Sequence, residues 1–489
     1  LCFGSFGFPE GAILPMPFHL GFVMPHVHPK LEFIPQRFNP LVLQFARSLL
    51  PILLSVRLRP WLPSGISDIE VVNGKTLVEL FHQFQLGKIR LLIAFRHPHV
   101  DDPLCMFHLL SKALSPIARQ HQIPLRHPIH SHFLYDRGMT IWAGKWLGWF
   151  FSRMGGIPIH RGKRLDRTGM KAAREILLNG KFPLAIAPEG ATNGLSNKVS
   201  PLEPGMAQLG VWCLEDLAKA NRFEDVIIVP IGIQYFYPEQ NWAKIDHLLT
   251  QLETEIGLAP LRSIEQEVEQ RSLRHKRLLR LVEQVFTEME QFYQRIYHQE
   301  FPTIADDSKN RTELISLRLQ SLLDVALRVS EQYFGLQPNG TVIDRCRRLE
   351  EASWSLIYPE EITDLHQLAL VKQGLADWAA EEAELRIRHM RLVESFVGVT
   401  EKQAWENLTL EQFAETLLIV FDVIARMGDK KVPRRPRLGW RQARLSIAEP
   451  ISVRDRWNDN SGDHKASRRA VLQLTQDLQT ALENLITHS

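Results

Sequence analysis

Residues 93–107 read IAFRHPHVDDPLCMF: an apolar run, then Arg96, His97, His99, Asp101 and Asp102, then apolar sequence again. A histidine and a carboxylate at the spacing of His97 and Asp102 can form a general-base pair. The carboxylate fixes the imidazole tautomer, the free ring nitrogen takes a proton from a hydroxyl, and the carboxylate then stabilises the imidazolium. This reading needs Phe95 to end a strand, Asp102 to be a helix N-cap and Pro103 to lie in the first helical turn, positions these residue types favour. In the plainer reading Asp102 only caps the helix and His97 is a surface residue. In a third, His97, His99, Asp101 and Asp102, joined by His127, His130 and His132 of RHPIHSHF, ligate the metal of a hydrolase. That cluster lacks a helical HExxH or another recognised ligand spacing.

Three further strand ends carry groups suited to chemistry. MGGIPIHRGKR (154–164) ends an apolar run with Arg161, Lys163 and Arg164, cations that can reach an anionic headgroup. IAPEGATNG (186–194) ends another in a Pro188-Glu189-Gly190 turn, where Gly190 lets the backbone approach a ligand closely with its amides outward. IIVPIGI (227–233) supplies the last, with Pro230 expected to break its ladder.

The elements that must position these groups alternate. Between residues 70 and 235, the apolar runs IRLLIAF (89–95), GIPI (156–159), FPLAIAP (182–188) and DVIIVPIGI (225–233) are separated by helical patterns, which argues for an α/β domain. One of those helices, RTGMKAAREILLNG, has Gly180 placed as its terminator. Residues 240–430 are rich in Glu, Gln, Arg and Leu at helical spacing, and their charges are expected on solvated faces as i to i+4 pairs. A basic, proline-containing joint (429–442) leads to ARLSIAEPISV (443–453), a strand and turn, and then to a closing helix. An isolated strand cannot satisfy its backbone, so this one should rejoin the first sheet. The expected fold is α/β: a mixed sheet flanked by helices, with a large all-helical insertion. Its parts are an N-terminal segment (1–69), the first part of the α/β domain (70–240), the insertion (241–435) and the closing strand and helix (436–489).

Composition narrows the classes. With 489 residues, 45% of them hydrophobic and 23% charged, the chain reads as folded and globular, neither disordered nor a polytopic membrane protein. A net charge of +3 carries no signal for nucleic acid, and Cys2, Cys105, Cys213 and Cys346 form no CxxC pair, so neither a zinc knuckle nor a disulfide framework is expected. A reducing, cytosolic setting is the default. The first residue is Leu1, no signal peptide is read, and the true start is expected upstream. No window holds the roughly 18 uninterrupted apolar residues of a spanning helix. Two segments suit a membrane surface: LVLQFARSLLPILLSVRLRPWL (41–62), and IWAGKWLGWFFSRMGG (141–156), where Trp142, Trp146, Trp149, Phe150 and Phe151 stand beside Lys145 and Arg153. Either could equally be a core-packed helix.

The order of motifs resembles the glycerophospholipid acyltransferase family, of the 1-acylglycerol-3-phosphate and lysophospholipid acyltransferase type. Its His-four residues-Asp signature is matched by His97 to Asp102 followed by Pro103; its Gly, apolar stretch and Arg by Gly156 through Arg161; its Pro-Glu-Gly by Pro188, Glu189, Gly190 and Ala191; its apolar strand with Pro by Pro230. LSIAEPISV looks like the family's closing strand. The resemblance implies transfer of a fatty acyl group from acyl-CoA or an acyl carrier protein thioester to a hydroxyl of a lysophospholipid or glycerol phosphate. His97 would be the general base and Asp102 its partner, with direct attack on the thioester and no acyl-enzyme. Arg161 would bind the acceptor phosphate, Glu189 and Gly190 would shape the acceptor pocket, and Gly156, Thr192 and Pro230 are carried over as substrate-binding. No cofactor beyond the thioester, no metal and no nucleic acid are implied; a membrane surface is, at its cytoplasmic face, with the protein peripheral or monotopic. A noncatalytic membrane-surface interaction protein is the other alternative. The chain departs from the pattern in two places: Pro-Glu-Gly is not followed by Thr-Arg, which removes a second phosphate ligand, and Glu203 stands before Gly205 where choline and ethanolamine lysophospholipid acyltransferases carry Lys.

Overall fold

The structure is a computed structural model that describes residues 27–57, 64–142, 144–160, 166–259, 261, 267–302, 311–396, 408–428, 434–457 and 464–486. Its sheet is built from β1 (Ile66–Val72), β2 (Ile89–Phe95), β3 (His132–Asp136), β4 (Gly156–Ile159), β5 (Leu184–Ile186), β6 (Asp225–Phe236), β7 (Arg441–Ile447) and β8 (Ile451–Ser452). Their spatial order is β1-β7-β6-β2-β5-β3-β4, with β8 also beside β6. Strands β6, β2, β5, β3 and β4 run parallel, β7 and β8 run antiparallel to β6, and β1 runs parallel to β7. The sheet is therefore mixed. The carboxyl ends of its five parallel strands share one edge with the amino ends of β1 and β7.

Strand β2 is buried along its whole length, as a central parallel strand covered on both faces should be. Its side chains alternate between two cores. Leu91, Ile93 and Phe95 pack with helices α1 (Pro40–Ser55), α2 (Gly74–Gln85), α3 (Asp102–His108) and α4 (Leu114–Gln120). Leu92 and Ala94 face the other side. The one charge in the strand, Arg90, is satisfied by the carbonyls of Leu177 (2.6 Å) and Gly180 (2.9 Å) and lies over the Phe84 ring. Helices α5 (Met139–Trp142) and α6 (Lys145–Arg153) link β3 to β4, and α7 (Arg167–Asn179) and α8 (Gly205–Lys219) cover the second face. Gly180 does end α7, but in extended rather than left-handed backbone.

Pro230 does not break its strand. Its carbonyl accepts from Ala448 N (3.0 Å), so its missing N–H faces the same flank. There the partner changes from β8 at Ile227–Ile228 to β7 at Ile231–Phe236, and no donor is needed, while the β2 side of the ladder runs on unbroken.

From β6 the chain leaves the sheet for α9 (Trp242–Glu255), α10 (Glu267–Tyr297), α11 (Arg311–Phe334), α12 (Val342–Ile357), α13 (Leu370–Phe396) and α14 (Leu410–Met427) before returning as β7. β6 and β7 are thus a hairpin whose connection is a helical region. That region has its own core, with Leu281, Phe286, Leu319, Leu323, Phe413 and Leu417 fully buried. The expected i to i+4 pairs occur, as in Arg328 to Asp324 and Arg386 to Glu382, but other pairs tie one helix to another: Arg274 to Asp246, Arg277 to Glu253, Arg318 to Glu290 and Arg345 to Glu331, each 2.7 Å. Helical periodicity shows which residues share a face but not which neighbouring helix that face meets. Helix α15 (His464–Asn484) closes the chain against α8 and the second face of the sheet.

The first membrane-surface candidate forms α1, capped by the Asn39 side chain. It buries Leu43, Ala46, Leu50 and Leu54 and leaves Leu41 and Phe45 more than 60% exposed. The second candidate divides: Phe151 packs inward against Phe133 and Tyr135, while Trp146 and Trp149 are about half exposed, with Arg153 over Trp149. Residues 58–62 and the side chains of Trp142 and Lys145 lie outside the described residues. No helix among the described residues is long and apolar enough to cross a membrane.

Candidate active site

Both β6 and β7 meet the carboxyl edge, so the helical region springs from the edge where ligands of open α/β sheets bind. Strand β2 ends there at Phe95, and after six intervening residues α3 begins. Asp102 is the first helical residue rather than the N-cap, which is Asp101, and neither carboxylate caps the helix. The acids are pulled elsewhere by stronger tertiary partners.

Asp102 is fully buried. Its Oδ2 accepts from His97 Nδ1 (3.0 Å) and His99 N (2.7 Å), and its Oδ1 accepts from the Tyr235 hydroxyl (2.6 Å). With Nδ1–H donated to the carboxylate, the free lone pair of His97 lies on Nε2, and the side chain is about a quarter exposed. Burial, with the Asp102 charge next, pushes the Tyr235 phenol well above its usual range, so it stays protonated and serves as a donor. Burial likewise raises Cys105, Cys213 and Cys346 and keeps them as thiols. None is suited to act as a nucleophile.

The neighbours in the knot have separate partners. Asp101 accepts from Ser64 N (3.1 Å) and from Arg441 Nη2, and Arg441 lies over the Tyr235 ring at 4.7 Å. His99 Nε2 meets Glu415 Oε1 of α14 at 3.1 Å, and the same carboxylate accepts from Ser196 N (3.0 Å) and the Ser196 hydroxyl. Arg96 is fully buried and donates to the carbonyls of Ser196 (2.5 Å), Leu195 (3.2 Å) and Lys198. His130 and His132 are bound to the carbonyls of Met154 and Gly155. Burial lowers His130 to about 4. Among the described residues no three His, Cys, Asp or Glu side chains converge on a metal position. The hydrolase reading thereby loses the cluster on which it rested.

Glu189 braces the loop between β5 and α8. Its Oε1 accepts from His97 N (2.8 Å), and its Oε2 from Ser200 N (2.9 Å) and Asn193 Nδ2 (3.3 Å). Gly194 N donates to Pro98 O (3.0 Å), which closes the contact between the two loops. Gly190 has φ +70°, but its N–H donates inward to Ala187 O (3.2 Å) rather than outward. The groups that crowd it are Glu203 and Arg347 of α12, joined at 2.5 Å; a Cβ there would lie 2.2 Å from Glu203 Oε1. A cleft opens beside this turn, lined by Glu189, Ala191, Thr192 and Asn193 from the sheet domain and by Cys346, Arg347 and Glu394 from the helical region.

The remaining candidates are not all brought together. Gly156 is buried, and a Cβ would sit 2.8 Å from the Phe133 ring and 3.0 Å from Phe151 O, so close packing requires glycine. Pro230 is buried in the central strand. Thr192 is exposed at the cleft. Arg161, Lys163 and Arg164 lie outside the described residues; His160, just before them, stacks edge-on against Trp354 of α12. Tyr235, Arg441, Glu415 and Arg347 were not signalled by motif spacing. The only local hint was that buried strands and helices carried unexplained polar residues.

Comparison with known families returns the Acyltransferase family over residues 76–234. No curated protein and no solved structure matches the chain. The matched segment runs from α2 to β6 and contains both loops just described, so residues 76–234 carry a domain that matches the Acyltransferase family, which supports acyl transfer as the general chemistry.

Proposed function

We propose that the protein moves a fatty acyl group from acyl-CoA or an acyl carrier protein to a hydroxyl of a lysophospholipid or glycerol phosphate, with His97 as the general base. The observation that carries this reading is the His97 and Asp102 pair, held at 3.0 Å with Nε2 left over at the edge where substrate arrives. His97 Nε2 takes the acceptor hydroxyl proton as the oxygen attacks the thioester carbonyl. A C–O bond forms, the C–S bond breaks, and the imidazolium returns the proton to the departing thiolate. Asp102 stabilises the imidazolium in between. Thr192 and the turn at Glu189 and Gly190 border the acceptor cleft, and Arg161 is the proposed ligand of the acceptor phosphate. Gly156 and Pro230, carried over as substrate-binding by the resemblance, are buried in β4 and β6 and are assigned no contact with substrate. The exposed Leu41 and Phe45 of α1 and Trp146 and Trp149 of α6 support docking on the cytoplasmic face of a membrane, where the acceptor resides.

The test is acyl transfer by the purified full chain with both thioester donors against a panel of lysophospholipids and glycerol 3-phosphate. Ester formation is expected, and His97→Ala should reduce it by about 10²–10⁴ while the fold is kept. A folded His97→Ala protein with full turnover would sink the base assignment.

A further inference from the structure

The carboxyl edge holds a second concentration of charge that the acyl-transfer machinery does not use. Arg57 follows α1, and Arg434 and Arg437 precede β7. These segments are drawn together where Gly65 N donates to Leu54 O (2.8 Å) and Arg441 N donates to Gly65 O (2.8 Å). Arg437 donates to Ser55 O (3.2 Å) and stacks on the half-exposed Trp440 ring at 5.3 Å. One Nη of Arg57 is buried with no hydrogen-bond partner among the described residues. Among the described residues, the cations near Arg57 are Arg434, Arg437 and Arg441, and the carboxylate that offsets them is Asp101, which Arg441 already holds. Burial, with repulsion from Arg434 and Arg437, lowers the Arg57 pKa from its ordinary value. Such a cluster costs free energy unless an anion completes it.

We propose that Arg57 and Arg434, flanked by Arg437 and Trp440, form a phosphoryl-binding site beside the loop that carries His97. Guanidinium forks match phosphate oxygens in plane and charge, and the exposed indole offers a face to a base or to a lipid headgroup region. Two ligands supply this chemistry: the phosphates of coenzyme A and the phosphodiester of an anionic lipid. Assignment to the acyl donor rests on the proposed thioester reading; phosphoryl binding itself does not, and it is measured without turnover.

The test compares the full chain with an Arg57→Gln, Arg434→Gln variant, and with a control that removes two exposed cations elsewhere, Arg119→Gln with Lys171→Gln. Coenzyme A binding is measured by calorimetry. Vesicle binding is measured by co-sedimentation with phosphatidylcholine alone and with added phosphatidylglycerol. Loss of a charge-assisted contact should weaken binding by about tenfold or more per arginine, and raised salt should weaken the parent chain more than the variant. Lost coenzyme A affinity with vesicle binding intact assigns the site to the donor; the converse assigns it to lipid. The charge-keeping Arg57→Lys, Arg434→Lys protein should recover part of the affinity and guards against misfolding of the first variant. If the Gln variant is folded and loses no more than the control in both assays, the site is overturned.

Discussion

At the scale of single residues, the candidate site is one buried carboxylate, Asp102, that accepts from three donors. Tyr235 and His99 N donate to the Asp102 carboxylate, and so does His97 Nδ1, which leaves Nε2 as the nitrogen for the proposed base role. Asp102→Asn keeps the shape but removes the charge that stabilises an imidazolium. Turnover should fall by about two orders of magnitude or more with little change in acceptor Michaelis constant. An unchanged turnover would show that Asp102 is only structural. Tyr235→Phe leaves a buried carboxylate oxygen without its donor. About 1–3 kcal/mol of stability should be lost in denaturant melts, with a smaller effect on rate. The pairing of His97 with Asp102 was legible from spacing, because a five-residue loop confines where the ring can go. Tyr235 was not, since its hydroxyl arrives from a strand 133 positions away.

At the scale of elements, the loop between β2 and α3 and the loop between β5 and α8 behave as one unit. Arg96, Glu189 and Glu415 each bridge them or hold one to the helical region. Glu415→Ala strands the His99 ring and the Ser196 amide in a buried place, so stability should fall by about 1–3 kcal/mol for each lost partner. Turnover should fall with it, because His99 N helps hold Asp102; Glu415→Gln keeps one acceptor and should recover part of both. An Ala variant with parental melting temperature and turnover would refute this positioning role. Gly190→Ala should inactivate more severely than its size suggests, because the φ of +70° and the nearby Glu203 both reject a Cβ. Comparable activity in the Ala variant would show that the turn can relax. Strands β2, β4, β5, β6 and β7, and the helix after β4, were readable from apolar runs and their terminators, whereas β1 and β3 were not. The extra polar partners were not, because α12 and α14 carry them across the edge from distant sequence.

At the scale of the whole molecule, the helical region completes the acyltransferase domain rather than hanging from it. Leu195 of the β5 to α8 loop is buried in the helical core, and β7, which follows that region, separates β1 from β6. A fragment ending at residue 240 lacks β7 and exposes an unpaired sheet edge, so it should aggregate. A soluble, monomeric fragment on size-exclusion chromatography would contradict this account. Both units also contain a buried neutral histidine, His130 in one and His389 in the other, each lowered to about 4, chiefly by burial. Between about pH 6.5 and 4 the unfolded chain binds protons that the native chain refuses, so stability is lost as pH falls through that window, by roughly 3 kcal/mol per histidine. Melting temperatures that stay flat across it would refute the assignment.

Apolar period, turn residues and short spacing are local properties of the chain, and they made β2, β4, β5, β6, β7 and the helical region before β7 legible, but not β1, β3 or the meeting of the two loops. Tertiary contacts alone decide that Asp102, already paired with His97 by spacing, makes no helix cap. They also decide that His99 and Asp101 belong to Glu415 and Arg441 rather than to a metal, and that Glu203 meets Arg347 over Gly190. In each case the competing partners are nearly equivalent in chemistry. The choice among them is made by burial and by which distant element the sheet edge brings within hydrogen-bond reach.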